Sequence, residues 1–315
     1  MVIFMKHHRN TKTWLRIMLV LCGTLALSFC AKHYEYPDIQ VNYVEEIEIF
    51  GLKGEYEFLF LTDLHLAIKT KEEVGPYGNA DERIKAFSNA KGTVSAKQLP
   101  QWIAYANRNQ VDAVLMGGDM IDYYSKENAE YVYNQIEKLQ MPYVFTLGNH
   151  ELFLPWEEPI EEDSVIYELF ADTGNEFQIL EYEEFVICAI DNEVYQVNEA
   201  SLTAMKEWLK KHPDKPMILL AHVPFYTEND RELLETTVSI WGQALLIGTG
   251  EGTRDTTAVS REFLDLILGE ESPVVAIFTG DNHYYHKGNL NDSVTQWVGA
   301  PAYAGDGMII KVKGN

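Results

Sequence analysis

The chain changes rhythm between short apolar runs and longer amphipathic ones. Apolar, β-branched runs occur at 55–63 (EYEFLFLTD), 111–119 (VDAVLMGGD), 141–149 (MPYVFTLGN), 177–191 (FQILEYEEFVICAID), 215–223 (KPMILLAHV), 273–281 (PVVAIFTGD) and 295–312 (TQWVGAPAYAGDGMIIKV). Most end in Gly, Asp, Asn or Pro, the residues that stop a strand. Between them, helical spacing of apolar residues marks 95–110, 128–140, 201–212 and 260–270, with Pro100 expected to mark or kink a helix start. Strands alternating with helices predict an α/β layered domain. Residues 67–94 and 226–257 are polar and Gly-rich and fit neither period. Each directly follows a strand carrying a histidine of interest, His65 or His222, and long loops at strand ends are where α/β sheets bind ligands.

The N-terminus has another pattern. Lys6, Arg9, Lys12 and Arg16 precede an unbroken apolar stretch at 17–31 (IMLVLCGTLALSFCA), the layout of a signal segment or membrane anchor. Ala26 and Ser28 suit cleavage, and Leu27-Ser28-Phe29-Cys30 resembles a lipoprotein box that Phe29 departs from. We therefore divide the chain into a signal or anchor segment (1–33), a connector with a first strand (34–54) and a catalytic body (55–315). With positive charge kept in the cytoplasm, the body is expected on the extracytoplasmic side, membrane-anchored or secreted.

Charge narrows the partners. The chain has 25 Lys/Arg and 48 Asp/Glu; removing the five basic residues of 1–33 leaves 20 against 48, or −28, for the rest. Such a body repels polyanions, which argues against a nucleic-acid partner. Cys188 is alone in the body, inside an apolar run, and reads as a core residue rather than half of a disulfide.

The candidate chemistry sits at the ends of five strand runs. Asp63-Leu64-His65 puts a carboxylate and an imidazole two positions apart, which in a strand would point both the same way. Gly117-Gly118-Asp119 combines a tight turn with a carboxylate. Gly148-Asn149-His150-Glu151 offers an amide oxygen and a proton donor, although Asn and His at a helix start also serve as caps. His222 ends 215–223, and Gly280-Asp281-Asn282-His283 repeats the spacing of two. Each motif alone is also an ordinary turn. Together they place four of the nine histidines and a set of oxygen donors at successive strand ends, which suits divalent cations.

This ordered set resembles the calcineurin-like metallophosphoesterase superfamily, whose pattern is Asp-x-His, Gly-Asp, Gly-Asn-His-Glu/Asp, a lone His, then Gly-His-x-His. The resemblance covers about 55–312 and implies a four-layer α-β-β-α sandwich with two divalent metal ions (Mn, Fe or Zn) at the strand ends. By position, it implies one ion on Asp63, His65, Asp119 and His283. The other would lie on Asp119, Asn149, His222 and residue 281, where this chain has Asp281 in place of the family's His. Purple acid phosphatases carry Tyr three residues after the bridging Asp; Asp122 there sets this chain apart from them. The implied reaction is hydrolysis of a small or lipid-linked phosphate mono- or diester by a metal-bridging hydroxide. His150 would protonate the leaving group, and Glu151 would either orient His150 or cap the helix start. Arg83, Arg231 and Arg254, in the unassigned loops with Lys69 and Lys71, are candidates for contacts with substrate anions. The competing expectation, resting on Asp281, is a membrane-tethered pseudoenzyme that binds metal or phosphate without turnover.

Overall fold

The computed structural model describes residues 36–68, 80–152, 176–249 and 256–315. The N-terminal segment 1–33, Lys69, Lys71 and Arg254 lie outside the described residues. Among the described residues no helix is long and apolar enough to cross a membrane.

Two sheets form the centre. The first has β1 (Gln40–Ile49), β2 (Glu55–Leu61), β3 (Ala113–Met116), β4 (Tyr143–Phe145) and β11 (Asp306–Gly314), in the order β1-β11-β2-β3-β4. The second has β5 (Phe177–Glu181), β6 (Val186–Ile190), β7 (Met217–Leu220), β8 (Val274–Thr279), β9 (His286–Asn289) and β10 (Thr295–Val298), in the order β5-β6-β7-β8-β10-β9. Strands β2, β3 and β4 run parallel, as do β6, β7, β8 and β10, so their C-terminal ends share one edge of each sheet.

Alternation along each strand decides which layer a side chain enters. Phe58, Phe60, Leu115, Val144, Met308 and Ile310 of the first sheet meet Ile187, Ile218, Leu220, Phe278 and Trp297 of the second in one inter-sheet core. Leu59, Leu61, Val114 and Met116 point the other way. They pack beneath α2 (Ser95–Asn109) and α3 (Lys126–Ile136), with Trp102 fully buried. On the far side, Cys188, Leu219 and Ile277 lie under α5 (Glu199–Lys211) and α7 (Ala258–Leu268), with Met205 and Phe263. The result is the expected four layers, helix, sheet, sheet, helix. Cys188 is a buried free thiol, its pKa pushed up by burial.

Some elements differ from expectation. The run 177–191 folds as two antiparallel strands, because Glu183 and Glu184 turn the chain while Tyr182 N–H donates to the Phe185 carbonyl. The strand placed in the connector pairs with β11 along its length and belongs to the first sheet. Pro100 lies inside α2. It has no N–H for the Ala96 carbonyl, and the Tyr131 hydroxyl from α3 donates to that carbonyl at 2.7 Å instead. The two unassigned stretches contain α1 (Ala80–Ala86) and α6 (Arg231–Trp241), and a single turn, α4 (Asn149–Leu152), follows β4.

Candidate dimetal centre

The site lies where the two sheets face each other at the ends of β2, β3, β4, β7 and β8. Beyond β2 and β3 the backbone keeps pairing: Asp63 N–H donates to the Gly118 carbonyl at 3.0 Å, and His65 N–H to that of Asp119 at 2.8 Å. Asp63 and His65 nevertheless lie past the end of β2 with left-handed backbone, so strand alternation is not what brings them together. Asp63, His65, Asp119, Asp281 and His283 all have positive φ, between 45° and 65°. Left-handed backbone is uncommon away from glycine and persists where the surroundings over-determine it. Here it turns these five ligand candidates out of their strand direction and toward the centre.

Glycines make the approach possible. A Cβ on Gly148 would lie 2.1 Å from Asp119 Oδ1, and one on Gly280 would lie 1.9 Å from Thr62 Oγ1 and 2.7 Å from Asp63 Oδ2. No larger residue fits there without moving the carboxylates.

Asp63, His65, Asp119 and His283 form one cluster whose ligand atoms lie within 4.8 Å of one another. His65 Nε2 and His283 Nε2 face each other at 2.9 Å, while His283 Nε2 is 3.5 Å from Asp63 Oδ1 and His65 Nε2 is 3.5 Å from Asp119 Oδ2. Asp119 also turns Oδ1 toward His222 Nε2 at 3.5 Å, and Asp281 Oδ1 lies 3.6 Å from the same nitrogen. Asp119 thus reaches both halves.

The second half contains buried atoms without hydrogen-bond partners: Asn149 Oδ1, His222 Nε2 and Asp281 Oδ2. An unpaired buried polar atom is costly, and a cation bound by such atoms would satisfy them. His222 Nδ1 donates to the Gly117 carbonyl at 2.7 Å, fixing the ring so that Nε2 faces inward. Burial works against protonating His222, but Asp119, Asp281 and Asp63 outweigh it and raise its pKa well above the ordinary value. A divalent cation would take the proton's place.

His65 is held in the same way. Its Nδ1 is 3.3 Å from Asp122 Oδ1, and Arg83 grips Asp122 with a two-pronged guanidinium, Nε to Oδ2 at 2.7 Å and Nη2 to Oδ1. Burial, with the neighbouring His150, lowers the His65 pKa to about 4, so its Nε2 is available as a ligand. His65, Asp122 and His150 also come within ligand distance of one another. The Arg83 fork supplies the positive charge there. Arg83, expected among the substrate contacts, also supports the His65–Asp122 pair. The α1 helix that carries Arg83 also places Phe87 flat on His65, ring centroids 4.2 Å apart.

Glu151, expected to orient His150 or to cap a helix, is buried; it caps the start of α4 through Gly148 N–H and also ties in the loop after β3. Its oxygens accept from the N–H groups of Asp119 (2.9 Å), Ile121 (3.0 Å) and Gly148 (2.6 Å). Burial and the Asp119 charge raise its pKa to about 8. His150 is tied by its backbone N–H to Asp119 Oδ1 at 3.0 Å and by Nδ1 to the Asp122 carbonyl at 2.5 Å. Its side chain remains 20% exposed at the mouth. Asn192, which the sequence did not single out, accepts from the N–H groups of His222 and Val223 and donates to the Val223 carbonyl. His286 sits outside the centre, paired with Asp230 at 2.9 Å, and Arg231 is at the surface 4.0 Å from Glu228.

Residues 56–244 match the family model described as calcineurin-like phosphoesterase. The chain belongs to that family. It is accordingly a phosphoesterase, a metal-dependent hydrolase of phosphate esters. Among solved structures it is similar to a dimetal phosphatase from Danio rerio, with 11% identity, a TM-score of 0.49, and 79% of this chain and 88% of that one covered. A second similar structure is the protein TT1561 of Thermus thermophilus, with 11% identity, a TM-score of 0.45, and 80% and 91% covered. A third is a 5'-nucleotidase from Candida albicans, with 14% identity, a TM-score of 0.38, and 85% and 47% covered. No curated protein matches the chain.

Proposed function

We propose that the chain hydrolyses a small or lipid-linked phosphate ester at two divalent cations, on the extracytoplasmic side of a membrane. The observation that carries the two-ion reading is the set of partnerless buried atoms on Asn149, His222 and Asp281 besides the Asp63–His65–Asp119–His283 cluster, with Asp119 turning one oxygen toward His65 and the other toward His222. When bound, such ions neutralise phosphate charge and activate water at neutral pH. The protein's own groups would do the rest. Asp119 holds one carboxylate oxygen toward each half, and Asn149 offers a neutral oxygen. His150, fixed at Nδ1 by the Asp122 carbonyl, turns Nε2 to within 4.0 Å of Asp119 Oδ2. As an imidazolium it would protonate the departing alkoxide through that nitrogen.

An apolar organic group on the ester is supported by what flanks the mouth. Trp241 stands edge-on to His283 with centroids 5.3 Å apart and is 40% exposed. Tyr303 and Phe87 also pack on the site, Tyr303 against His283 and Phe87 against His65. The acidic body argues against nucleic acid. The basic-then-apolar N-terminus supports the membrane assignment.

The test is turnover of p-nitrophenyl phosphate and bis-p-nitrophenyl phosphate by the full chain in detergent with Mn²⁺, beside Asp119→Ala. Metal-dependent hydrolysis lost in the variant supports the proposal, and the preferred ester separates monoesterase from diesterase. A folded, metal-bound chain without turnover on Mn²⁺, Fe²⁺ or Zn²⁺ would make it a binding protein. Protease access to a C-terminal tag on intact cells tests the membrane side; a tag reached only after lysis would refute it.

A further inference from the structure

Asp281 stands where the family pattern has a histidine, and the structure gives it a partner of its own. Tyr195, in the loop after β6, donates its hydroxyl to Asp281 Oδ1 at 2.7 Å. Tyr195 has a φ of 62°, left-handed backbone that an aromatic residue rarely adopts. Apart from Gln110, which ends α2, every non-glycine residue with positive φ among the described residues is either a ligand candidate or Tyr195. The turn that permits this is tied by Tyr195 N–H to the Asn192 carbonyl at 3.0 Å, and Asn192 in turn holds the backbone of His222. Asp281 N–H donates to Asp63 Oδ1 at 3.1 Å, so its backbone is fixed from the first half while its side chain is fixed from the loop after β6.

We infer that Tyr195 is a positioning residue that fixes Asp281 as an oxygen ligand of the second ion, so that the two halves of the centre prefer different cations. This rests on the two-ion reading above. The first half offers two imidazoles, His65 and His283, with the carboxylates of Asp63 and Asp119. The second offers one imidazole, His222, against three oxygen donors from Asp119, Asn149 and Asp281. Imidazole-rich sets suit zinc or iron, while carboxylate and carbonyl sets suit manganese and magnesium. A carboxylate can swing about its last bond in a way a packed imidazole cannot. The phenol removes that freedom by holding one oxygen, leaving Oδ2 buried without a hydrogen-bond partner. Loss of such an outer partner typically weakens metal binding by about 10–100-fold.

The experiment uses the full chain in detergent, stripped of metal. Mn²⁺ and Zn²⁺ are titrated calorimetrically, and metal content is measured after equilibration with both. With free Mn²⁺ buffered far above free Zn²⁺ to offset zinc's generally higher affinity, wild type is expected to retain one Zn²⁺ and one Mn²⁺, and two Zn²⁺ would overturn the inference. Tyr195→Phe should weaken the Mn²⁺ event by about 10–100-fold and leave the Zn²⁺ event unchanged. Asp281→His should move the second site to Zn²⁺, and in that background Tyr195→Phe should have no further effect. Equal circular dichroism of all variants ensures that folded protein is compared. Two bound ions with Tyr195→Phe silent, or unchanged selectivity in Asp281→His, would overturn this inference alone. Fewer than two ions in wild type would overturn the two-ion reading with it.

Discussion

Two carboxylates outside the ligand set show how strongly surroundings decide what a residue does. Glu151 accepts three backbone N–H bonds from the loops carrying Asp119 and Asn149. Leaving one buried N–H without an acceptor costs about 1–3 kcal/mol. Glu151→Ala, which strands all three, should therefore lose about 3 kcal/mol or more in urea unfolding; a change below about 0.5 kcal/mol would refute the clamp. Asp191, at the end of β6, accepts from Asn198 at 2.7 Å, yet burial, with Glu176 nearby, raises its pKa to about 7. A carboxyl that binds its proton more tightly when folded favours the fold at low pH. That contribution is complete below about pH 4, the unfolded value. It is lost as pH rises through about 7. Asp191→Asn should thus be more stable than wild type at pH 8, with the gap closing toward pH 4 in thermal melts. A gap independent of pH would contradict the assignment. Neither role is visible from residue type alone, because Glu151 depends on the backbone N–H groups buried beside it and Asp191 on burial and its side-chain neighbours.

At the scale of elements, periodicity locates most of what is regular. The apolar runs ending in Asp63, Asp119, Asn149, His222 and Asp281 form β2, β3, β4, β7 and β8, and the four amphipathic stretches form helices. Two helices escape it for a physical reason. The α1 helix has no buried residue, so it has no apolar stripe to detect, and α6 leaves Val238, Ile240 and Trp241 exposed. The 177–191 hairpin is hidden because its turn is only Glu183 and Glu184 between two apolar strands. Pro100 shows the opposite case, a local break that a neighbouring helix repairs. If the Tyr131 hydroxyl stands in for the missing N–H, Tyr131→Phe should cost about 1 kcal/mol in urea unfolding. In a Pro100→Ala background, where the helix can make its own bond, the same change should cost less. Equal costs in both backgrounds would show that the contact is incidental.

Across the whole molecule, the four-layer sandwich brings five strand ends from two sheets to one place. The ligand candidates were legible as residue types at strand ends. Their convergence was not, because it depends on left-handed backbone at Asp63, His65, Asp119, Asp281 and His283, and on long-range pairing of the loops after β2 and β3. The pairings that tune the site were equally invisible, though Arg83 and Asp122 were themselves candidates. Arg83 meets Asp122 from 39 positions away and Tyr195 meets Asp281 from 86. The most direct test of two cations around Asp119 is anomalous diffraction from crystals of the Mn²⁺-loaded protein. Two peaks about 3.5–4 Å apart are expected, one on each side of Asp119. One should lie against Asp63, His65 and His283, the other against Asn149, His222 and Asp281. A single peak, or a second one on the His65–Asp122–His150 group, would contradict the account.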